Sequence, residues 1–280
     1  MKIKITTLIE NNIDNEKKLV NEHGLSLYIE ADNKNILFDT GKSGDFIKNA
    51  NSLNKNLEYI DYVIISHGHY DHSGGFQSFM DRFNKRVEVF VGAEFFKPKY
   101  KLLDDKTFKY IGNQFDENYI LEKHIPFKKI EGNLYYITDN IILFHHFARK
   151  TGFETISDEF FVLNDNVMIH DKFDDEIVLG ITMAKGLVVV VGCSHVGIVN
   201  ILNTIIEKTG MPIYAVIGGT HLVKANEIRM RKTIEELHKL NLGFIGVSHC
   251  TGEEGIKLIK EEFGDRFIYN NTGNVIEIDL

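Results

Sequence analysis

The chain of 280 residues contains no tryptophan, three prolines and two cysteines. Two cysteines are too few for a disulfide framework, so a reducing compartment is the natural reading. No apolar run approaches the roughly 20 residues needed to span a bilayer. The opening Met1-Lys2-Ile3-Lys4-Ile5 also lacks the apolar core of a signal peptide. A soluble cytoplasmic protein without a membrane partner is therefore expected. An excess of positive charge is missing too: 32 Lys and Arg stand against 40 Asp and Glu, a net charge of -8. With its lysines dispersed among acids, the chain is not expected to bind nucleic acid, because affinity for phosphate backbones rests on clustered cations. There is no linker, internal repeat or low-complexity tract. At 43% hydrophobic the chain can bury a sizeable core, and its length allows one domain over 1–280.

What is present is concentrated in Ser66-His67-Gly68-His69-Tyr70-Asp71-His72-Ser73-Gly74-Gly75, which follows the apolar run Tyr62-Val63-Ile64-Ile65. Three imidazoles and a carboxylate within six positions are ligands for zinc, iron or manganese. An extended segment leaving a strand points alternate side chains the same way. His67 and His69 are thus placed to share one metal, while Asp71 and His72, past the bend, turn toward a second.

The same local design returns three times without repeated sequence. Leu187 to Val191 is a β-branched run ending in Gly192-Cys193-Ser194-His195, followed by helical spacing over Ile198 to Lys208. Ile213 to Ile217 runs into Gly218-Gly219-Thr220-His221, and Asn226 is placed to cap a helix reaching about Leu240. Gly243 to Val247 runs into Ser248-His249-Cys250-Thr251, where Thr251 and Glu254 have capping-box spacing ahead of a helix to Phe263. Each unit sets a histidine just past the carboxyl end of a strand, the edge at which open α/β sheets bind ligands. His67, His69, His72, His195, His221 and His249 are expected to converge on one rim.

The H-x-H-x-D-H signature followed by Ser-Gly-Gly and a helix resembles that of the metallo-β-lactamase-fold hydrolases. Together with Glu22-His23-Gly24-Leu25-Ser26, Leu37-Phe38-Asp39-Thr40-Gly41, Gly192-Cys193-Ser194-His195, Gly218-Gly219-Thr220-His221-Leu222 and His249-Cys250-Thr251-Gly252, the pattern resembles archaeal methanopterin-pathway dihydropteroate-synthase-like proteins and their bacterial relatives. The resemblance covers nearly the whole chain. It implies an α/β fold, an αββα sandwich of two mixed β-sheets flanked by helices. It also implies that His195 and His249 are the later metal ligands and that Asp39 supports the site from behind.

The chain departs from the superfamily pattern in one respect. Where many members place a metal-bridging Asp after the strand ending Val190-Val191-Gly192, this sequence has Cys193 or Ser194. Asp174 or Asp175 is one replacement, against the reading of that stretch as a solvated acidic turn. Cys193 is either a thiolate ligand or a small packed residue. His221 is a ligand, a donor toward substrate or structural. Glu22, His23 and Asn11 or Asn12 are placed near the same rim. Asp39-Thr40-Gly41 also carries the aspartic-protease signature, but Asn271-Thr272-Gly273 lacks the second acid.

Residues from about 87 to 177 read as a substrate-facing insertion. Their aromatic residues, among them Phe95, Phe96, Tyr100, Phe108 and Tyr110, are either core or a stacking surface for a planar ring. Of the adjacent His145 and His146, at most one should reach the site.

The expected function is a metal-dependent hydrolase acting on a small-molecule substrate, phosphorylated or like a pterin or nucleotide, through a metal-activated water. One or two divalent ions per chain are expected, zinc first, with manganese, iron or magnesium as alternatives. Asp71 and His221 are the candidate catalytic residues, Asp71 holding the water or the second metal. The resemblance implies an alternative, a C–N bond-forming transferase joining a pterin methyl diphosphate to an aminobenzene riboside phosphate. Iron-based redox chemistry and metal-dependent ligand binding are further classes. Oligomeric state is not legible.

Overall fold

The run Leu187 to Val191 lies in β14 (Gly186–Val191), every residue of which is buried. Leu187, Val189 and Val191 pack into one apolar cluster and Val188 and Val190 into another. A strand covered on both faces must belong to an inner layer. The computed structural model, which describes residues 1–13, 18–83 and 87–279, has this strand inside a four-layered sandwich.

One sheet runs, edge to edge, β18 (Val275–Asp279), β1 (Lys2–Ile9), β2 (Ser26–Ala31), β3 (Lys34–Phe38), β4 (Tyr62–Ile64), β5 (Glu88–Gly92) and β8 (Phe127–Ile130). The facing sheet runs β17 (Phe267–Tyr269), β16 (Phe244–Val247), β15 (Ile213–Gly218), β14, β13 (Val178–Met183), β10 (Ile141–Phe144) and β9 (Leu134–Tyr136). Both are mixed: β3, β4, β5 and β8 pair in parallel, as do β14 to β17, and the other neighbours are antiparallel. Between them lies a core of Ile3, Ile5, Phe38, Phe90, Leu143, Val190 and Ile217 among others.

The outer faces are covered by helices. Phe46 and Ile47 of α1 (Asp45–Ser52) and Phe76, Phe79 and Met80 of α3 (Phe76–Phe83) pack on the first sheet. On the second lie Ile201, Leu202 and Ile205 of α5 (Ile198–Thr209), Ile234 and Leu237 of α6 (Glu227–Lys239), and Ile259 and Phe263 of α7 (Gly252–Phe263). This is the αββα arrangement that the family resemblance implies.

Helix α6 starts as the sequence implies, with Asn226 Oδ1 accepting from Arg229 N–H at 2.9 Å. Helix α7 does not. The Thr251 hydroxyl oxygen accepts instead from the Thr220 N–H and hydroxyl, both at 3.1 Å. The residue expected to close a capping box thus ties the end of β16 to the end of β15.

The segment from 87 to 177 is divided between layers. Its β5, β8, β9 and β10 belong to the two main sheets. The rest forms a separate four-stranded sheet, β12 (Val167–His170), β11 (Phe160–Asn164), β6 (Lys99–Leu102) and β7 (Phe108–Tyr110), which contributes to the site described below. The short helix α4 (Glu117–Glu122) precedes β8.

Just past β14, Gly192 lies tightly against the residues that follow β3 and β4. A Cβ there would stand 2.1 Å from Ser66 Oγ and 3.3 Å from Asp39 Oδ2. Gly192→Ala is therefore expected to lose about 1–3 kcal/mol through overpacking, read as a lowered urea midpoint. A midpoint equal to that of the parent chain would show that Ser66 can move aside.

Candidate metal centre

The chain leaves β4 at Ile64 and enters α2 (Tyr70–Ser73) with His69 at its N-cap. Two buried carboxylates fix the path between them. Asp39 sits in the left-handed backbone region (φ 58°) and accepts from the Ser66 N–H at 2.7 Å and its hydroxyl at 2.8 Å. Its Oδ2 also lies 2.7 Å from His72 Nδ1. Asp175 Oδ2 accepts from the Gly68 N–H at 2.7 Å.

The loop so held brings His67 and His69 against His195. His67 Nε2 and His69 Nδ1 are 3.1 Å apart, and both rings lie 4.9 Å from that of His195. One nitrogen from each of the three falls within 4.8 Å of the others. Asp71 and His72 instead meet His249: His72 Nε2 is 3.2 Å from His249 Nε2, and Asp71 Oδ2 is 3.3 Å from the latter and 3.8 Å from the former. Two ligand groups thus share one rim, each completed by a residue from the other half of the chain.

Two equivalent anchors hold those partners. Glu176 accepts from the backbone N–H groups of His195 at 2.9 Å and Val196 at 3.2 Å, and burial pushes its carboxyl up to about 7 despite these donors. Glu10 accepts from the His249 N–H at 2.5 Å and the Asn12 N–H at 2.8 Å. Asn11 Oδ1 is 2.9 Å from His249 Nδ1. Ser194, His221 and His249 all have left-handed backbone (φ 59°, 50° and 51°). Non-glycine residues adopt this conformation at a cost that the surrounding structure must offset, and such strain clusters at functional sites.

The donor set fits a divalent cation. His69 Nε2 and His195 Nε2 are buried and without a partner among the described residues. An unpaired imidazole nitrogen in a dry site is costly, and a cation would satisfy it. Burial depresses His67 and His195 well below the usual histidine range and brings His69 down to about 3, which keeps the rings neutral as ligands must be. His72 behaves oppositely. Burial works against its proton, but Asp39 and Asp71 raise it to about 9, so a cation bound at this ring would have to displace a proton. Burial likewise disfavours an ionised Asp71, yet His72, His23 and His249 hold its carboxyl well below the usual range.

Several residues stand elsewhere than the sequence suggests. Asp175 is not free to ligate, because Lys99 Nζ lies 2.9 Å from its Oδ1 and Gly68 occupies its Oδ2. Asp174 is half-exposed and paired with Arg149. The acidic stretch is nevertheless not a solvated turn, since Asp171, Asp175 and Glu176 are all buried. Ser194 turns away to donate to the Gly219 carbonyl at 2.8 Å, leaving Cys193 Sγ 3.2 Å from His72 Nε2. His221 sits 4.2 Å from the His195 ring. His145 and His146 donate to the carbonyls of Asp174 and Glu131, and neither lines the cleft. Glu22 is spent on the Lys42 and Ser43 N–H groups, and Asn12 on Tyr269.

Above the histidines opens a cleft of about 200 Å³. His69, Asp71, His195, His221 and His249 form its floor, Tyr70, Ile111, Phe160 and Val223 its apolar walls, and Asn11, His23, Lys101, Glu159 and Lys224 its rim. The aromatic residues singled out in the sequence do not line it. Phe95 is core, Phe96 packs on it, and Tyr100 pairs with Tyr110. The rings that meet the site are Phe160, 5.3 Å from His195, and Phe173, stacked on His195 at 3.9 Å. Neither carries a local signal, because only the pairing of β11 with β6 brings Phe160 over the centre.

The profile of the metallo-beta-lactamase superfamily matches residues 20–153. Over 294 aligned residues the chain is 34% identical to the 7,8-dihydropterin-6-methyl-4-(beta-D-ribofuranosyl)-aminobenzene-5'-phosphate synthase of Methanocaldococcus jannaschii, covering 98% of this chain and 96% of that protein. It is 29% identical to an uncharacterized protein of the same archaeon, over 97% and 100% of the two chains. Among solved structures, one described as a metal-dependent hydrolase of the beta-lactamase superfamily superposes with a TM-score of 0.84 at 30% identity, over 99% of each chain. With the motif, the layered fold and the paired ligand groups all in agreement, the chain belongs to the metallo-beta-lactamase superfamily.

Proposed function

We propose that this protein is a metal-dependent hydrolase of a small anionic substrate. The observation that carries the reading is the convergence of His67, His69 and His195, with His69 Nε2 and His195 Nε2 buried and partnerless among the described residues, beside an ionised Asp71 at the floor of an open cleft. His67, His69 and His195 would hold one divalent ion, and Asp71, His72 and His249 a second. A bound divalent ion supplies a nucleophilic hydroxide at neutral pH and polarises the oxygen of the group under attack. The chain's own residues do the rest. Asp71 Oδ2, facing the cleft, accepts a hydrogen bond from the attacking water and so orients it. His23, 3.2 Å from the same oxygen and largely exposed, links Asp71 to solvent for proton release. Phe160 and Phe173 keep water from the sides of His69 and His195. Lys101 and Lys224, which share Glu159 at 3.6 and 2.7 Å, offer one unbalanced positive charge at the rim for an anionic substrate.

A second reading, a C–N bond-forming transferase, is favoured by the 34% identical relative, which is named as a synthase. The same floor would then stabilise a departing diphosphate. One experiment separates the two. The purified chain, stripped with chelator and reloaded with zinc or manganese, is offered phosphoesters, lactones and thioesters. In parallel it is offered a dihydropterin methyl diphosphate with an aminobenzene riboside phosphate. Hydrolysis that is lost on chelation and restored by metal is the expected outcome. Coupled product with no hydrolysis would establish the transferase, and activity indifferent to chelator would overturn both.

A further inference from the structure

We propose that Cys193, Cys250 and His221 form an additional cation site on the wall of the cleft, one that takes a thiophilic divalent ion such as zinc. The inference rests on the cleft being a metal centre, as proposed above, but uses none of the six residues assigned there.

The two cysteines are the only ones in the chain, and they arrive from separate strand ends, Cys193 after β14 and Cys250 after β16. His221 comes from β15, the strand between them. Both sulfurs and one nitrogen of His221 lie within 4.8 Å of one another. A tetrahedral zinc held by sulfur and nitrogen has ligand-to-ligand edges of roughly 3.3–3.8 Å, so a small inward rotation of the side chains would fill three of the four positions and leave the fourth open to the cleft. His221 Nδ1 is buried and has no partner among the described residues. Cys250 Sγ contacts the Cys193 carbonyl weakly at 3.3 Å and lies within side-chain hydrogen-bonding reach of Cys193 and His221.

The backbone makes room for these atoms at a cost. A Cβ on Gly219 would stand 2.5 Å from Cys250 Sγ, so the sulfur fills a space that any other residue at 219 would take. His221 and the neighbours Ser194 and His249 are all left-handed. A packing role for two small thiols needs neither that strain nor an imidazole beside both of them with a buried nitrogen left unpartnered. Two sulfurs and an imidazole select softer ions than the histidine and carboxylate groups beside them. On binding, each thiol gives up its proton to solvent and contributes a thiolate. Because Cys193 Sγ is 3.2 Å from His72 Nε2, this cation would neighbour the one on Asp71, His72 and His249.

The test is cobalt(II) loading of the full, chelator-stripped chain without oxygen. The expected result is a near-ultraviolet thiolate-to-cobalt absorption that disappears in Cys193→Ser and Cys250→Ser, with a loss of about one cobalt per chain while the remaining cobalt stays bound. Cobalt bound without that absorption, or a count unchanged in both variants, would overturn the site and leave the histidine centre standing. A chain that binds no cobalt at all would overturn both readings. Should the serine variants not fold, alkylation of the parent chain decides: zinc is expected to slow modification of both cysteines by at least about tenfold, and equal rates with and without zinc would refute the proposal.

Discussion

Asp71→Asn is expected to give a folded protein with turnover reduced by at least roughly a hundredfold, the scale of a lost proton-transfer group. The substitution preserves shape and removes one negative charge. The Asp71 carbonyl, which accepts from the Leu25 N–H at 3.1 Å, is a backbone contact and survives. What is lost is the charge on Oδ2, the atom that His23, His72 and His249 all approach within 3.2 to 3.8 Å. An amide in that place can present nitrogen to those rings, and it neither accepts a proton nor balances a cation. Steady-state turnover on the substrate identified by the hydrolysis screen, together with metal content, is the measurement. Equal turnover in a metal-replete variant would remove Asp71 from the chemistry.

The largest effect on stability is expected at Lys99. Its side chain is 1% exposed, and its ammonium lies 2.7 Å from Asp171 and 2.9 Å from Asp175. Lys99→Met would leave two buried carboxylates with no countercharge, and breaking a buried pair from one side costs about 3–5 kcal/mol. A urea unfolding midpoint lowered in proportion, at constant slope, would report it. The effect belongs to the stranded charge and not to lost packing, so Lys99→Met combined with Asp171→Asn and Asp175→Asn should recover most of the loss. If the triple variant is as unstable as the single, the ion triad is not what holds this region. Because Asp175 also fixes the Gly68 N–H between His67 and His69, the single variant should bind metal more weakly as well.

Much of the centre could be read along the chain because its information is local. The spacing of His67, His69, Asp71 and His72 is fixed by a strand end and one helical turn, and β-branched runs ending in Gly-x-x-His mark three further strand ends. The helices over the second sheet follow from apolar spacing and, for α6, from a cap that forms. Thr251 had the same local signal and was drawn off by Thr220, a partner 31 residues away that local spacing does not reveal. The acidic stretch from Asp171 to Glu176 resembles any solvated turn. Its Asp171, Asp175 and Glu176 are buried because Lys99 and two ligand-bearing loops approach them from three directions.

The sequence by itself determined the candidate ligand types and the order of strands and helices that carries them, since each depends on residues a few positions apart, while the layered α/β fold was implied by the resemblance of its motifs. Only the tertiary structure decided which carboxylates are supports and which remains free to act. Glu10 reaches a backbone N–H 239 residues away and Glu176 one that is 19 away. Asp39 binds across 33 residues. These choices are made when two sheets close face to face, where a buried charge survives only beside donors that come from elsewhere in the chain.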